Sequence, residues 1–335
     1  MRRLIPILFV VVLFHGCAGI YNIVEFEVLE PATITFPEGA GHLLVLNRAP
    51  VSIYSFKEED RANVDEKMLV ILDTIISNSL NRGLLEVLRE SPIKKFRTPL
   101  WLSERRSDTA GLEDLILTRR EVDAMCRQWG ADVVISLEKY AMDVNDSTIY
   151  YSDDPTAVFT EYFEFSNEVQ WKVYLPGNPK PFDSYITRDT IFFTSVLEGV
   201  YQFVPTTAGM IRQIFTESGN KYGRRLVPVW IPTSRIIYKG KADSLKKASK
   251  YTGEGRWNEA YLIWEELLKS KDSTTIARSY HNLAVYHELE DDLDSASLMI
   301  NKALNYDTLE VLRMYKDELD TRILNREEVI KQVIN

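Results

Sequence analysis

Residues 161–175 alternate so regularly that they leave the chain few structural options. Phe163, Phe165, Val169, Trp171, Val173 and Leu175 fall on one parity, and Glu164, Ser166, Glu168, Gln170 and Lys172 on the other. Successive strand side chains point to opposite faces, so this spacing predicts a long strand with one buried and one wet face. A membrane hairpin or a sugar-binding platform can use such a strand. The ordinary use is a sheet with one face on helices, and Asn167 on the apolar parity argues against lipid exposure. Pro176-Gly177-Asn178-Pro179 then signals a turn, and residues 181–187 are suited to return as a partner strand.

Upstream, residues 31–37 read as an extended segment and 43–47 as a buried strand. A long helix is predicted over 64–88, where Met68, Ile71, Ile75, Leu80, Leu84 and Leu88 recur at helical spacing, with Gly83 a weak point and Pro92 a stop. Residues 117–129 form a second helix, Gly130 stands where a C-terminal cap is wanted, and 131–137 is a core strand. Cys126 lies in that second helix and reads as a buried, inert thiol. Residues 195–215 look mainly helical, and 231–238 lead out of the domain.

From residue 242 the chain turns helical and nearly free of proline. Gly255, Trp257, Ala260 and Trp264, with Tyr251 before them, resemble a tetratricopeptide repeat: a glycine turn, an aromatic, a small residue at the tightest helix contact and a large one a turn later. In a second copy Ala284 takes the small site of the first helix, and Ala296 and Ala303 take those of the second. Ala260 and Ala296 lie 36 residues apart, against a usual period of about 34. The rest of the chain supplies a capping helix. Two hairpins are fewer than such repeats need alone, so they are expected to pack on the preceding domain or on a partner.

At the other end, Arg2 and Arg3 precede an apolar run of about 11 residues and then Gly16-Cys17, too short for the roughly 20 residues of a spanning helix. This is the layout of a secretory signal. Gly16-Cys17 resembles a lipobox, although His15 and Phe14 depart from its usual residues, and the resemblance implies acylation of Cys17. No acidic run follows Cys17, which points to an outer-membrane anchor on the periplasmic side. Cys126 is the only other cysteine, so an intramolecular disulfide would need the thiol that acylation blocks.

Sites of chemistry are scarce. There is no phosphate loop, nucleophile elbow or paired-histidine zinc motif, and His281 and His287 do not share a helix face. No catalytic residue, metal or cofactor is expected. Asp153, Asp154 and Glu161 are the pair-forming carboxylates a glycan hydrolase would require, and Asp108-Thr109-Ala110 has the form of an O-glycosylation acceptor. The acidic residues 288–294 read as a solvated turn rather than a calcium loop. A net charge of -9 argues against nucleic acid.

The layout as a whole resembles a family of Bacteroidetes lipoproteins with a tetratricopeptide-like C-terminus, which has no known activity. The resemblance is carried by residues 31–37, 130–138 and 222–230 with Arg235. More distantly, the pattern of the first domain is similar to periplasmic lipoproteins of the curli-assembly type. The expected organisation is a lipoprotein signal over 1–16, an α+β or α/β sandwich domain over 17–240, and all-α tetratricopeptide-like hairpins over 241–335. Arg224, Arg225, Trp230 and Arg235 are the candidate interaction patch, because Arg and Trp are common interface anchors. The expected role is a non-enzymatic scaffold holding an unidentified envelope protein. A curli-type oligomeric component and a cell-envelope glycan hydrolase are the alternatives.

Overall fold

The computed structural model describes residues 21–50, 66–93, 99–104, 116–150, 159–196, 207–240 and 242–334. In chain order the elements are β1 (Tyr21–Glu30), β2 (Leu43–Asn47), α1 (Glu66–Glu90), β3 (Leu100–Ser103), α2 (Arg119–Trp129), β4 (Val133–Tyr150), β5 (Phe159–Tyr174) and β6 (Asp183–Val196). They continue with α3 (Thr207–Leu226), β7 (Val229–Tyr238), α4 (Asp243–Gly253), α5 (Trp257–Leu267), α6 (Ser273–Leu289), α7 (Leu293–Leu304) and α8 (Glu310–Ile334). An α+β unit is thus followed by all-helical hairpins, the fold class expected. The units are discontinuous in sequence. Among the described residues a sheet unit draws on Leu29–Trp230 and the end of the chain from Asn325, and a helical unit on Tyr21–Val28 and Ile231–Leu324. A single boundary at 240 misses this, because β1 and β7 are hydrogen-bonded to helices of the second unit.

The sheet unit has strand order β3-β2-β4-β5-β6. β2 runs parallel to both neighbours, and β4, β5 and β6 are antiparallel. Every residue of β2 is buried, as parallel strands covered on both faces must be. Val45, Val133 and Ile135 pack with Leu80 and Leu84 of α1 and Ile214 and Phe215 of α3. Leu44, Leu46 and Val134 take the other parity and meet Val122 and Cys126 of α2. α2 is defined locally: Thr118 and Glu121 form a capping box, and Gly130 closes the helix in the left-handed region at φ 62°.

The alternation of β5 is realised as far as Gln170; beyond it Lys172 and Tyr174 on the expected wet parity are buried as well, Tyr174 because α2 covers that face. Phe165, Val169, Trp171 and Val173 are buried, and Trp171 stacks on Tyr222 of α3 at 4.7 Å between ring centroids. Asn167 on that face donates to Ser218 Oγ at 2.8 Å, and Ser218 donates to Asp189 at 3.0 Å. The buried amide is therefore tied into a polar chain that ends on Lys221.

Gly83 is far from a defect in α1. A Cβ there would stand 2.0 Å from the Thr216 carbonyl oxygen, and one on Gly219 would stand 2.3 Å from that of Leu80. The two glycines let the backbones of α1 and α3 touch.

The extended segment 31–37 forms no strand of its own, and Ile34 and Phe36 in it are buried; the strand near this end is β1. Two expectations need correction. The partner of β5 does not stop near residue 187 but runs to Val196, since Ile191 and Phe193 continue the buried parity opposite Phe165 and Phe163. The following helix accordingly starts at Thr207 and reaches Leu226. Residues 231–238 lead out of the sheet unit as expected, and they do so as the greater part of β7, which pairs with β1.

In the helical unit α4–α5 and α6–α7 are hairpins. Ala248, Ala260, Trp264, Ala284, Ala296 and Ala303 have no exposed surface, so the small residues stand at helix contacts. Gly255, at φ 73°, turns the chain between α4 and α5. Asp291 follows it by 36 residues and makes the second turn at φ 59°. Asp292 then caps α7 by accepting from Ser295 N–H. Asp291 and Asp292 are thus turn and cap chemistry, whereas Glu288, expected in the same solvated turn, is buried because arginine side chains from β7 and α8 pair with it. Among the described residues no helix is long and apolar enough to cross a membrane.

Candidate functional site

The most concentrated polar chemistry lies where β7 meets the helices of its own unit. Glu288 of α6 is fully buried. Its carboxylate accepts from Arg235 Nε at 2.9 Å and Nη2 at 3.0 Å, and from Tyr315 Oη at 2.9 Å. Arg322 Nη1 adds an ion pair at 2.9 Å and also donates to the Glu288 backbone carbonyl. Arg235 reaches Glu318 at 2.8 Å as well, and Phe26 of β1 lies beneath both guanidinium groups. Burial alone would lower the Arg235 pKa, but hydrogen bonding to Glu288 and the charges of Glu288 and Glu318 hold it above the ordinary arginine value. Burial, then the charge of Glu288, pushes the Tyr315 hydroxyl well above its usual value.

Beside this network His281 is buried between Tyr238 and Tyr315, with ring centroids at 4.9 and 5.0 Å. Its Nε2 faces the Ile236 carbonyl at 3.1 Å, and Nδ1 has no hydrogen-bond partner. Burial pushes its pKa down to about 4 against the pull of that carbonyl. A carboxylate held by two guanidinium groups and a phenol has its lone pairs engaged. This arrangement cements β7, α6 and α8 to one another.

The proposed patch of Arg224, Arg225, Trp230 and Arg235 is therefore broken up. Arg235 is withdrawn into the network just described. Arg225 is paired with Asp183 at 3.1 Å and stacked on the Tyr185 ring at 3.8 Å, so it fastens α3 to β6. Arg224 is exposed, and Trp230 is half exposed. Of the repeat residues, Ala260, Trp264, Ala284, Ala296 and Ala303 are interior, Tyr251 and Trp257 are partly buried, and Gly255 makes the turn. Cys17, Asp108-Thr109-Ala110, Asp153 and Asp154 lie outside the described residues, and nothing is described of the Glu161 side chain.

Two further features bear on binding. A shallow groove of about 360 Å³ opens between α1 and α3. Its polar lining is largely engaged already: Arg82 pairs with Glu86, and Thr74 and Ser79 donate back to their own helix. On the hairpins, Leu262 of α5 and Leu298 of α7 each stand two residues after a buried alanine, Ala260 and Ala296, and are 63% and 52% exposed. Sequence reading passed over this pair. The 36-residue spacing that identifies the alanines would have found it.

Among known proteins, a family model described as a domain of unknown function (DUF8603) matches residues 41–238. A second, also described as a domain of unknown function (DUF6340), matches residues 246–321. No curated protein matches the chain. Among solved structures, a homolog of neuraminyllactose-binding hemagglutinin from Helicobacter pylori is 9% identical, with a TM-score of 0.30 over 69% of this chain and 92% of that one. The hypothetical protein CT253 from Chlamydia trachomatis is 10% identical, with a TM-score of 0.25 over 55% of this chain and 96% of that one. Likeness at this level assigns no function.

Proposed function

The chain belongs to the family of the domain of unknown function DUF8603, and we propose that it is a lipid-anchored envelope protein, a non-enzymatic scaffold that holds another envelope protein. The observation that carries this reading is the repeated exposure of Leu262 and Leu298 at equivalent positions of the two hairpins. Single exposed leucines are ordinary. Two at the same site of successive repeats make an apolar feature that the architecture itself repeats. Side chains of α4 and α6 are meanwhile engaged by the chain's own strands, through Ser249 with Asn22 and Asn282 with Tyr238. The outer helices are thus the part of the hairpins left for a partner. The signal-like N-terminus and Cys17 supply the anchor, on the periplasmic side of the outer membrane.

The test is crosslinking in the native envelope, followed by purification of the wild type and of a Leu262→Ser/Leu298→Ser chain. A specific protein retained by the first and lost from the second is the expected result, with thermal unfolding unchanged because both leucines are exposed. The same proteins on both chains, or monomer alone from both, would overturn the reading. Ending the chain near residue 239 is a poor substitute, since it strips β1 and β7 of Ser249, Asn282 and Glu288.

A further inference from the structure

We propose that the outward face of β1 docks on the membrane itself, with Tyr21 and Ile23 seated at the lipid headgroups; this rests on the lipid-anchored reading above. The even-numbered residues of β1 face the helical unit. Asn22 donates to Ser249 of α4, Val24 packs against the core of that unit, and Phe26 lies under Arg235 and Arg322 at 5.7 and 5.8 Å. With the strand pinned this way, Tyr21, Ile23, Glu25 and Glu27 all point outward.

That outward face is graded along its length. The apolar pair, Tyr21 at 48% and Ile23 at 63% exposure, stands at the end nearest Cys17, and the carboxylates follow. Four residues of chain reach at most about 14 Å, so an acylated Cys17 keeps Tyr21 close to a headgroup layer roughly 5–8 Å thick on each side of the bilayer. Tyrosine is favoured at this interface and an isoleucine gains by leaving water, whereas anionic lipid repels glutamate. The face is apolar where it is tethered and acidic where it is not.

The experiment uses the acylated full chain on vesicles of phosphatidylethanolamine with a minority of phosphatidylglycerol. Ile23→Cys and Glu27→Cys variants are alkylated with a membrane-impermeant maleimide. Cys126 is buried, so the new thiol is the reporter. The expected result is alkylation at position 23 slower than at 27 by about tenfold, the factor that burying an aliphatic side chain supports. The difference should vanish when Cys17→Ser removes the anchor. Equal rates on vesicles, with the acyl group present by intact mass, would overturn the docking and leave the anchor standing. An intact mass without acyl on Cys17 would overturn both. Slow alkylation at 23 without vesicles, with a doubled mass in solution, would overturn the docking in favour of a second copy on this face. Since positions 23 and 27 are exposed, unchanged thermal unfolding of both variants confirms that the rates compare folded chains.

Discussion

Asn282 of α6 holds Tyr238 of β7 by both of its backbone groups: the side-chain carbonyl accepts the Tyr238 N–H at 2.8 Å, and the side-chain amide donates to the Tyr238 carbonyl at 2.9 Å. One side chain thus supplies what a neighbouring strand would. It explains how a strand can lie against a helical face without leaving buried polar groups unmet.

Asn282→Ala leaves those two buried groups unpaired, each costing about 1–3 kcal/mol. A loss of about 3 kcal/mol in unfolding free energy is expected from urea titration. A loss below about 1 kcal/mol would show that water replaces the amide and that the clamp is dispensable.

Glu288→Ala leaves Arg235 and Arg322 only their outer partners, Glu318 and Asp291, and breaking a buried pair in this way costs about 3–5 kcal/mol. Replacing all three together, as Glu288→Leu with Arg235→Met and Arg322→Met, should recover much of that loss because no uncompensated charge remains. Equal destabilisation by the single and triple variants in the same titration would contradict this account.

The glycines make opposite predictions. Gly83→Ala would press a methyl group into the α3 backbone at 2.0 Å and should cost at least about 3 kcal/mol, the upper end of overpacking penalties. Gly253→Ala meets nothing within 4 Å and should stabilise by about 0.4–1 kcal/mol through the unfolded chain. Comparing the two melting temperatures separates helix propensity from helix contact.

His281 makes stability depend on pH. Its pKa is pushed down to about 4 in the folded chain, against about 6.5 when unfolded. Between those values the unfolded chain binds a proton that the folded chain does not. Its contribution is therefore complete above about pH 6.5 and is lost as the pH falls toward 4, by up to about 3 kcal/mol. Tyr238, Tyr315, Arg235 and Glu288 surround the ring or act on it. His281→Gln keeps a donor for the Ile236 carbonyl and should flatten the urea midpoint between pH 4 and 6.5. An unchanged slope would assign the dependence to other groups.

Elements defined by near neighbours along the chain are legible in the amino-acid order alone. α2 carries its own start and stop in Thr118, Glu121 and Gly130, β5 its own alternation, and the hairpins their alanine spacing. β1 escapes such a reading although Asn22, Val24, Phe26 and Val28 share its inner parity. Tyr21 and Ile23 break the apolar contrast between its faces, and the strand adjoins a signal-like segment. Arg235 reads as an exposed anchor because its partner, Glu288, lies 53 residues further along the chain.

What the sequence determined by itself is local: which segments are helices or strands, where caps and turns fall, and which parity or stripe is apolar. Those follow from backbone stereochemistry and from periodicities of 2 and 3.6 residues, which act over a few positions. Tertiary structure alone decided that Gly83 and Gly219 are contact points, that Arg235 is buried, and that β1 and β7 belong with the helices. Each depends on the identity of a residue far away in the chain. An arginine, an asparagine or a glycine is exposed or interior only according to whether its charge, its amide or its missing side chain finds a complementary group in space.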